Sequence, residues 1–450
     1  MAEHAKHKVV VVGGGFGGLY AARAMTNSAL QVTLVDRRNF HLFQPLLYQV
    51  ATGGLAPANI AAPLRNLLRQ RARVLLAEVV DFDLAGRRVL LADGELPFDS
   101  LIVAAGSEFN YFGHDDWRSL APGLKSIEDA TDIRARLLTA FEMAERTTDA
   151  AERRRWLTFV IAGGGATGVE LAGALADLAR YTMRQDFRAI DPSEARIILV
   201  EGRERLLTTF PEDLSAHTAD TLRGLGVTIR TGAMVADVRP HEVVIKQGDR
   251  LETLPTETVL WTAGVRTAGI AGRLAQAAGA ETDRMGRIMV QPDLTIAGHP
   301  NLFVVGDMAH LAPPGGEPLP GVAPVAMQQG QYVAQVIERR ITGDPPPPPF
   351  HYHDRGNMAV IGRSAAVADL HWTHVWGFPA WLAWLFIHLL YLAQFQNRLL
   401  VLIQWAWNYV TRSRSARLIT GEGRSGSEAE RGRHRDTGRA SAVAASAETR

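Results

Sequence analysis

Three glycines and one glutamate near the middle of the chain have the types and spacing that dinucleotide chemistry requires. Gly163, Gly165 and Gly168 fit the motif G-x-G-x-x-G, between an apolar, β-branched run and an alanine-rich helical pattern. In this motif one glycine permits a tight turn, one lets the backbone approach a pyrophosphate, and one allows the helix to pack on the strand. Amide groups at the start of the helix attract the phosphate charge. Glu170 follows two residues later, so its carboxyl lies in the first turn of the predicted helix.

A second glycine loop lies near the N-terminus and repeats this design. Gly13, Gly15 and Gly18 follow a run of valines, and Asp36 closes the next predicted strand 18 residues beyond Gly18. An acid at this place accepts a hydrogen bond from a ribose 2′-hydroxyl. Glu201 closes the corresponding strand of the other unit, 33 residues beyond its last glycine, so that connection must be longer. Glycine-rich turns without a ligand are the alternative, but two loops with two acids predict two dinucleotide sites.

The composition excludes several classes of protein. A chain of 450 residues with 47% apolar residues can form two or three domains, and a net charge of +1 gives no reason to expect nucleic acid as a partner. The absence of cysteine excludes disulfides, cysteine metal sites and thiolate nucleophiles, and we predict no metal site. Disulfide reductases and sulfide:quinone oxidoreductases are therefore excluded. No export signal is recognisable before the first strand.

The order of the patterns predicts an α/β fold in which one nucleotide-binding unit is interrupted by another. The predicted strand that ends at Gly106 is echoed by one that ends at Gly264, and from about residue 285 the pattern returns to the first kind. Five prolines at 345–349 then form a stiff spacer. The predicted regions are 1–118 (first unit, first part), 119–284 (second unit), 285–343 (first unit, second part), 344–420 (membrane-associated region) and 421–450 (disordered tail).

The segment 372–411 is unusually apolar and aromatic. It holds six of the nine tryptophans, and Arg398 is its only acidic or basic residue apart from histidine. A charge-free stretch of 18 residues, 378–395, meets the lower length limit for a spanning helix. Pro379 and the polar residues that interrupt the stretch favour amphipathic helices that lie in the membrane interface. A spanning helix and a buried dimerisation pair remain the alternatives.

Several of these segments resemble a known family, the type II NADH dehydrogenases. The segments are HLFQPLLYQVATGGL at 41–55, GGGATGVELAGAL at 163–175, VLWTAGV at 259–265, NLFVVGDMA at 301–309, and the aromatic C-terminal segment. The resemblance covers about residues 8–420. It implies two Rossmann-like dinucleotide-binding domains, for FAD and NAD, the second inserted in the first, and a C-terminal amphipathic helical membrane anchor.

The resemblance also implies roles for individual residues. FAD would be held by the first loop with Asp36, with Asp307 on the ribityl chain, while NADH would be held by the second loop with Glu201. Because Glu201 repels a 2′-phosphate, NADH should be preferred over NADPH, although Arg203 lies close by. The remaining residues expected to bind the cofactors are Gln44, Pro45, Thr52, Ala105, Gly306 and Gly264, of which Gln44, Pro45 and Thr52 would lie near the isoalloxazine.

The quinone site is where this chain departs from the family. The family often has Ala-Gln-x-x-x-Gln at the start of the last helix of the FAD domain, and here Pro324 replaces the first glutamine. Either the acceptor differs, or quinone is held by the remaining residues, Ala326, Gln328 and Gln329. Glu170 is the expected catalytic residue, shaping or protonating this region, and its alternative is a structural role at the helix terminus.

The expected function is non-proton-pumping NADH:quinone oxidoreduction in a respiratory chain. FAD would be the cofactor, NADH the substrate and membrane quinone the acceptor, with residues 372–411 on the lipid surface and a homodimer possible. The expected location is the cytoplasmic face of a bacterial inner membrane, as a peripheral protein. The alternatives are an NADH-dependent reductase of a ferredoxin- or rubredoxin-like carrier, and a non-enzymatic NADH-sensing flavoprotein.

Overall fold

The first α/β unit is built on the apolar strand that precedes the first glycine loop. A computed structural model describes residues 6–313 and 315–420 of the chain. Val9–Val12 are buried on both faces, as expected of a central strand in a parallel sheet. The elements up to residue 109 are strands β1 His7–Val12, β2 Leu30–Asp36, β3 Phe40–Leu42, β4 Ala61–Pro63, β5 Arg73–Leu76, β6 Val79–Asp83, β7 Arg88–Leu91, β8 Gly94–Pro97, β9 Ser100–Val103 and β10 Ser107–Phe109, and helices α1 Phe16–Ala24, α2 Leu47–Ala51, α3 Pro57–Ile60 and α4 Leu64–Leu68.

The second unit forms its own parallel sheet around the second glycine loop. Its elements are α5 Ile127–Arg146, α6 Ala150–Trp156, β11 Thr158–Ala162, α7 Ala166–Asp177, β12 Arg196–Val200, α8 Glu212–Gly224, β13 Val227–Arg230, β14 Ala233–Arg239, β15 Glu242–Gln247, β16 Arg250–Pro255, β17 Thr258–Trp261 and β18 Val265–Thr267. The four parallel strands are ordered β13-β12-β11-β17, and the antiparallel strands β14, β15 and β16 form a separate meander. Helix α9 Ile270–Ala278 follows and packs on β6 of the first unit.

The chain then returns to the first sheet. Strand β21 (His299–Val304) pairs in parallel with β9 and in antiparallel with β20 (Thr295–Ile296), so the six strands are ordered β20-β21-β9-β1-β2-β5. The second sheet therefore lies within an interruption of the first. The short antiparallel pair β10–β18 runs where the chain leaves and re-enters the first unit. The elements of this part are β19 Ile288–Met289, β20 Thr295–Ile296, β21 His299–Val304, β22 Ala309–His310 and α10 Ala323–Thr342.

The C-terminal region adds a small sheet and two helices. Strands β23 Asn357–Ile361, β24 Ala365–Asp369 and β25 His374–Gly377 form an antiparallel meander that packs on α7, and helices α11 Phe378–Tyr391 and α12 Phe395–Thr411 follow. The residues that follow α12, up to Thr420, lie back on the body of the protein. No helix in the described part of the chain has the length and apolar character needed to cross a bilayer. The expected disordered tail, 421–450, lies outside the described residues.

Candidate active site

A cavity of about 1200 Å³ lies between the two nucleotide-binding units. The first glycine loop forms one wall, and Thr167 and Glu170 of α7 contribute to another, so residues from both units face the same space. Among the residues predicted from the sequence, those that line this cavity are Gly13, Gly15, Asp36, Gln44, Pro45, Ala105, Glu170, Gly306, Asp307 and Ala326.

The first glycine loop has the backbone geometry that a dinucleotide requires. Gly13 has φ of +101°, and a Cβ added there would lie 2.4 Å from the carbonyl oxygen of Ala104. A Cβ at Gly18 would lie 1.8 Å from the carbonyl oxygen of Gly13, so only glycine lets α1 start so close to the strand. The space beside Gly15 is open, which leaves room for a pyrophosphate.

Asp36 and Glu201 support the two loops in the same way. Asp36 Oδ2 accepts the amide of Gly14 at 2.5 Å, and Oδ1 accepts the amide of Arg38 at 2.7 Å. Glu201 Oε2 accepts the amide of Gly164 at 2.6 Å, and Oε1 accepts the amide of Arg203 at 2.8 Å. Each carboxylate is thus oriented by two backbone amides and keeps lone pairs for a ribose hydroxyl.

The second loop repeats the first in its close contacts. Gly163 has φ of +109°, a Cβ at Gly168 would lie 1.9 Å from the carbonyl oxygen of Gly163, and Gly165 is again open. The longer spacing to Glu201 is explained by the connection between α7 and β12, which contains a π turn, Leu178–Thr182, and a short 3₁₀ helix, Pro192–Glu194. Both loops therefore fit a dinucleotide.

His41 fixes the shape of the first loop from the side. Its Nδ1 lies 3.0 Å from the carbonyl oxygen of Gly14 and donates to it. The imidazole is buried, and this burial lowers the pKa of His41 to about 4, so the ring is neutral. The sequence placed His41 in a family segment but assigned it no role.

Asp307 belongs to a small charged cluster that the sequence did not reveal. Ser107 Oγ donates to Asp307 Oδ2 at 2.5 Å, and the ammonium of Lys125 lies 3.7 Å from the same oxygen. Burial lowers the pKa of Lys125, and the charge of Asp307 opposes this shift. Lys125 precedes the N-cap of α5 and is far from Asp307 in sequence, so no local pattern could have identified it.

Glu170 has a strongly altered ionisation. Burial raises its pKa to about 8, and a backbone hydrogen bond from Val360 of β23 opposes the shift. At neutral pH the carboxyl is therefore largely protonated, and it can act as a proton donor. The start of α7, where the helix dipole favours the ionised form, does not outweigh this loss of water.

The predicted quinone residues lie in different environments. Ala326 lines the cavity, whereas Gln329 is buried and its Oε1 accepts the amide of Gly306 at 2.6 Å. Gln328 forms two hydrogen bonds of 3.0 Å with the backbone of His353. Pro324 lies in the first turn of α10, where a missing N–H costs nothing.

The other predicted residues do not line the cavity; they are Gly18, the second-loop residues Gly163, Gly165 and Gly168 with Glu201, and also Gly264 and Thr52. Gly264 faces the ring of Phe112, which a Cβ would meet at 2.5 Å. Thr52 is buried, donates from Oγ1 to the carbonyl oxygen of Tyr48 at 3.0 Å, and lines a second, smaller cavity. Among the residues that the structure describes, no cluster of His, Asp and Glu could hold a metal ion.

Comparison with known proteins covers nearly the whole chain. The family model described as pyridine nucleotide-disulphide oxidoreductase matches residues 7–330, and the model described as NDH2 C-terminal domain matches residues 354–413. The type II NADH:quinone oxidoreductase Ndh of Mycobacterium tuberculosis is 43% identical over 424 residues, which cover 92% of this chain and 90% of that protein. The type II NADH:quinone oxidoreductase of Staphylococcus aureus is 29% identical over 373 residues, which cover 82% of this chain and 90% of that protein.

A solved structure is similar in fold. The structure of NDH2 from Plasmodium falciparum in complex with NADH aligns with a TM-score of 0.85 at 21% identity, covering 92% of this chain and 100% of that one.

Proposed function

This chain belongs to the type II NADH:quinone oxidoreductase family, and from that membership we propose which of its residues carry out each part of the reaction. It is a flavin-dependent enzyme that oxidises NADH and reduces quinone. FAD supplies two-electron chemistry when bound, because it accepts hydride and gives electrons to an acceptor. The observation that supports these roles most directly is that the first glycine loop and Glu170 line the same cavity.

The two glycine loops divide the nucleotides between them. We assign FAD to the loop of Gly13, Gly15 and Gly18, with Asp36 on the ribose, and NADH to the loop of Gly163, Gly165 and Gly168, with Glu201 on the ribose. Because each acid is oriented by two backbone amides, it presents its free lone pairs in a fixed direction. Thr167, within the second glycine motif, lines the same cavity as Glu170 and the first loop, so a nicotinamide held by the second loop would reach the flavin there.

The remaining cavity residues position the reacting parts. Asp307 would bind the ribityl chain, held in place by Ser107 and Lys125. Gln44, Pro45, Ala105 and Gly306 would line the flavin. Thr52 and Gly264 lie outside the cavity, so they would not contact a cofactor there and would only help to position the neighbouring backbone.

Quinone reduction consumes protons, and we propose that Glu170 donates one of them. A quinone oxygen becomes a hydroxyl group, and a protonated carboxyl facing the cavity is suited to supply the proton. For quinone contact we keep Ala326, which lines the cavity. Gln328 and Gln329 would shape the site through the backbone of His353 and Gly306.

The C-terminal helices would bring the cavity to the membrane. Exposed apolar side chains recur every four residues on both helices, at Phe378, Leu382, Phe386 and Leu390 of α11 and at Phe395, Leu399, Ile403 and Trp407 of α12. Such stripes are typical of helices that lie in the lipid interface. We therefore propose peripheral binding to the cytoplasmic face of a bacterial membrane. For the domain boundaries we keep those predicted from the sequence.

An anaerobic titration in detergent tests the function. NADH should bleach the visible flavin absorbance, and a short-chain quinone should then restore it. Bleaching without recovery on quinone addition would contradict the assignment of quinone as acceptor.

A further inference from the structure

A second cavity, of about 100 Å³, lies beside the first and is lined by residues of α2, α7 and the C-terminal region. Tyr48 of α2 lines both cavities. Its side chain therefore stands in the wall that separates the cofactor cavity from the second cavity.

A carboxyl group faces the second cavity without a partner. Asp177 lies seven residues after Glu170 on α7, so the two side chains share one face of the helix. Asp177 is 5% exposed, and its Oδ2 has no hydrogen-bond partner among the described residues. Leaving a buried carboxyl oxygen unpaired is destabilising, so a purely structural role does not account for it.

Charged groups surround Asp177 on two sides. The guanidinium groups of Arg414, after α12, and Arg363, after β23, both favour its ionised form, but burial outweighs them and raises the pKa of Asp177 to about 6. Arg414 donates to the carbonyl oxygens of Thr52 and Ala174, which holds it in place. The apolar side chain of Leu225, the residue after α8, and Asp177 Oδ2 both lie beside Gly362.

Tyr48 lines the first cavity together with Glu170 and the second cavity together with Asp177. Burial raises the pKa of Tyr48 well above its ordinary value, and the charges of Glu170 and Asp177 raise it further. Gln49 Nε2 donates to the Tyr48 oxygen at 2.8 Å, and Trp405 Nε1 holds Gln49 by donating to its Oε1 at 2.7 Å. The Tyr48 oxygen is thus fixed as an acceptor, which leaves its own O–H to donate.

We propose that Asp177 takes up from water the proton consumed in quinone reduction and passes it through Tyr48 to Glu170. This rests on the proposed function. NADH gives a hydride, which is two electrons and one proton, whereas quinone takes two electrons and two protons, so each turnover draws one proton from water. Residues seven apart on a helix are separated by about 10 Å, so the transfer needs an intermediate group.

The transfer moves protons without net chemistry at Tyr48. The O–H bond of Asp177 breaks as the Tyr48 oxygen gains a proton, and the former Tyr48 proton forms a new O–H bond on Glu170. Glu170 then protonates the quinone oxygen, and water reprotonates Asp177. The second cavity has room for about three water molecules to complete the contacts. The pKa values of about 6 and about 8 make transfer from Asp177 to Glu170 favourable.

Asp177→Asn tests the proposal in the detergent-purified holoenzyme. Flavin reduction by NADH should stay within about twofold of wild type, while reoxidation by a short-chain quinone above about pH 7 should slow at least tenfold, a loss typical of a missing proton donor. Formate, a small acid that can occupy the second cavity, should restore the rate, and Asp177→Glu should retain most of it. The infrared difference spectrum of flavin reoxidation by quinone should lose a carboxylic C=O band in this variant.

Asp186→Asn is the matched control. Asp186 pairs with Arg417 and so holds the same C-terminal segment, but it lines neither cavity. This variant should reoxidise at the wild-type rate. If Asp177→Asn cannot be purified, Tyr48→Phe keeps the shape and should show the same slow reoxidation without formate rescue.

Two results would overturn the proposal. One is reoxidation of the Asp177→Asn enzyme at the wild-type rate. The other is slow reoxidation that formate does not restore, with an unchanged infrared spectrum, because that would indicate a structural role. If wild type itself is not reoxidised by quinone, the proposed function fails first, and the two failures are distinguishable.

Discussion

At the residue scale, the two ribose acids have the same geometry although their spacings in sequence differ. Asp36 and Glu201 each accept two backbone amides, one from the glycine loop and one from the residue two positions further on. The backbone therefore fixes the direction of the carboxylate, so changing its charge while keeping its shape isolates its electrostatic role.

We expect Glu201→Gln to raise the ratio of kcat/KM for NADPH to that for NADH about tenfold. The change removes a negative charge that repels a 2′-phosphate, and tenfold corresponds to about 1.4 kcal/mol. Initial rates with each nucleotide measure the ratio. Glu204→Gln, a neighbouring exposed residue, makes the same change of charge and should leave the ratio unchanged. A wild-type enzyme that uses both nucleotides equally would contradict the role of Glu201.

A second prediction concerns turnover in the Glu170→Gln variant. Loss of the proton donor should slow quinone-dependent turnover by about a hundredfold, the low end for general acid catalysis. FAD content should be intact, because Glu170 does not belong to the first loop. Flavin absorbance per protein and steady-state rates measure the two effects. Unchanged turnover would reduce Glu170 to its structural role.

The same carboxyl should also make stability depend on pH. The pKa of Glu170 is about 8 in the folded protein against an ordinary value of 4.5, so between these values the folded state binds more protons than the unfolded state. Its contribution is therefore complete below about pH 4.5 and is lost as the pH rises towards 8. Glu170→Gln cannot ionise, so its Tm relative to wild type should rise between about pH 5 and pH 8. A constant difference in Tm would contradict the raised pKa.

At the element scale, helix α10 crosses α1 at a glycine. A Cβ at Gly330 would lie 2.2 Å from the carbonyl oxygen of Gly17 and 3.0 Å from the amide of Ala21. Because α1 begins at the first glycine loop, a displacement of α1 at this crossing would also displace the loop that we propose binds FAD.

We expect Gly330→Ala to destabilise the protein by about 1–3 kcal/mol and to lower its FAD content, because backbone atoms cannot move aside as side chains do. Gly272→Ala in α9 is the control: its Cβ would meet nothing within 4 Å, so the gain in helix propensity should stabilise slightly. Thermal unfolding and flavin absorbance measure both variants. Equal behaviour of the two would show that the crossing tolerates a methyl group.

Features that depend on local sequence patterns can be predicted from the sequence. Features that depend on contacts between residues distant in sequence cannot. Helix α5 begins at Ile127 because Ser126 and Asp129, close together in sequence, form a capping box at its start. The apolar stretch 378–395, in contrast, is broken: α11 ends at Tyr391, and Arg398 of α12 donates to the carbonyl oxygen of Leu392 at 2.9 Å. The glycine loops and their acids could likewise be identified from the sequence. Roles for Lys125, Tyr48 and Asp177 could not, because they depend on contacts between elements that are distant in sequence.

At the scale of the whole molecule, both nucleotide-binding units, the cavity between them and the two C-terminal helices are connected. Arg414 joins the end of α12 to α2 and α7 through the carbonyl oxygens of Thr52 and Ala174. Asn397 of α12 donates to the carbonyl oxygens of Ala58 and Ala61 of the first unit. The helices are therefore fixed to the first unit, and their exposed stripes keep a constant orientation to the cavity.

The double variant Leu399→Lys/Ile403→Lys tests what these stripes contact. Both side chains are about half exposed on one face of α12, so the substitutions should leave the fold intact. They remove two apolar anchors from the proposed lipid surface, and we expect the bound fraction in flotation with neutral phosphatidylcholine vesicles to fall severalfold. Activity with a short-chain, water-soluble quinone should persist, while activity with a long-chain quinone in vesicles should be lost.

Leu251→Lys is the matched control for this experiment, because Leu251 is an equally exposed leucine on the β14–β16 meander, away from the helices. It should float with vesicles like wild type. If the double variant also floats like wild type and uses the long-chain quinone at the same rate, the stripes do not face lipid, and dimerisation through α12 becomes the explanation to test by sedimentation. If flotation and long-chain activity fall together, the apolar stripes bind the membrane, and this binding gives the cavity access to the long-chain quinone.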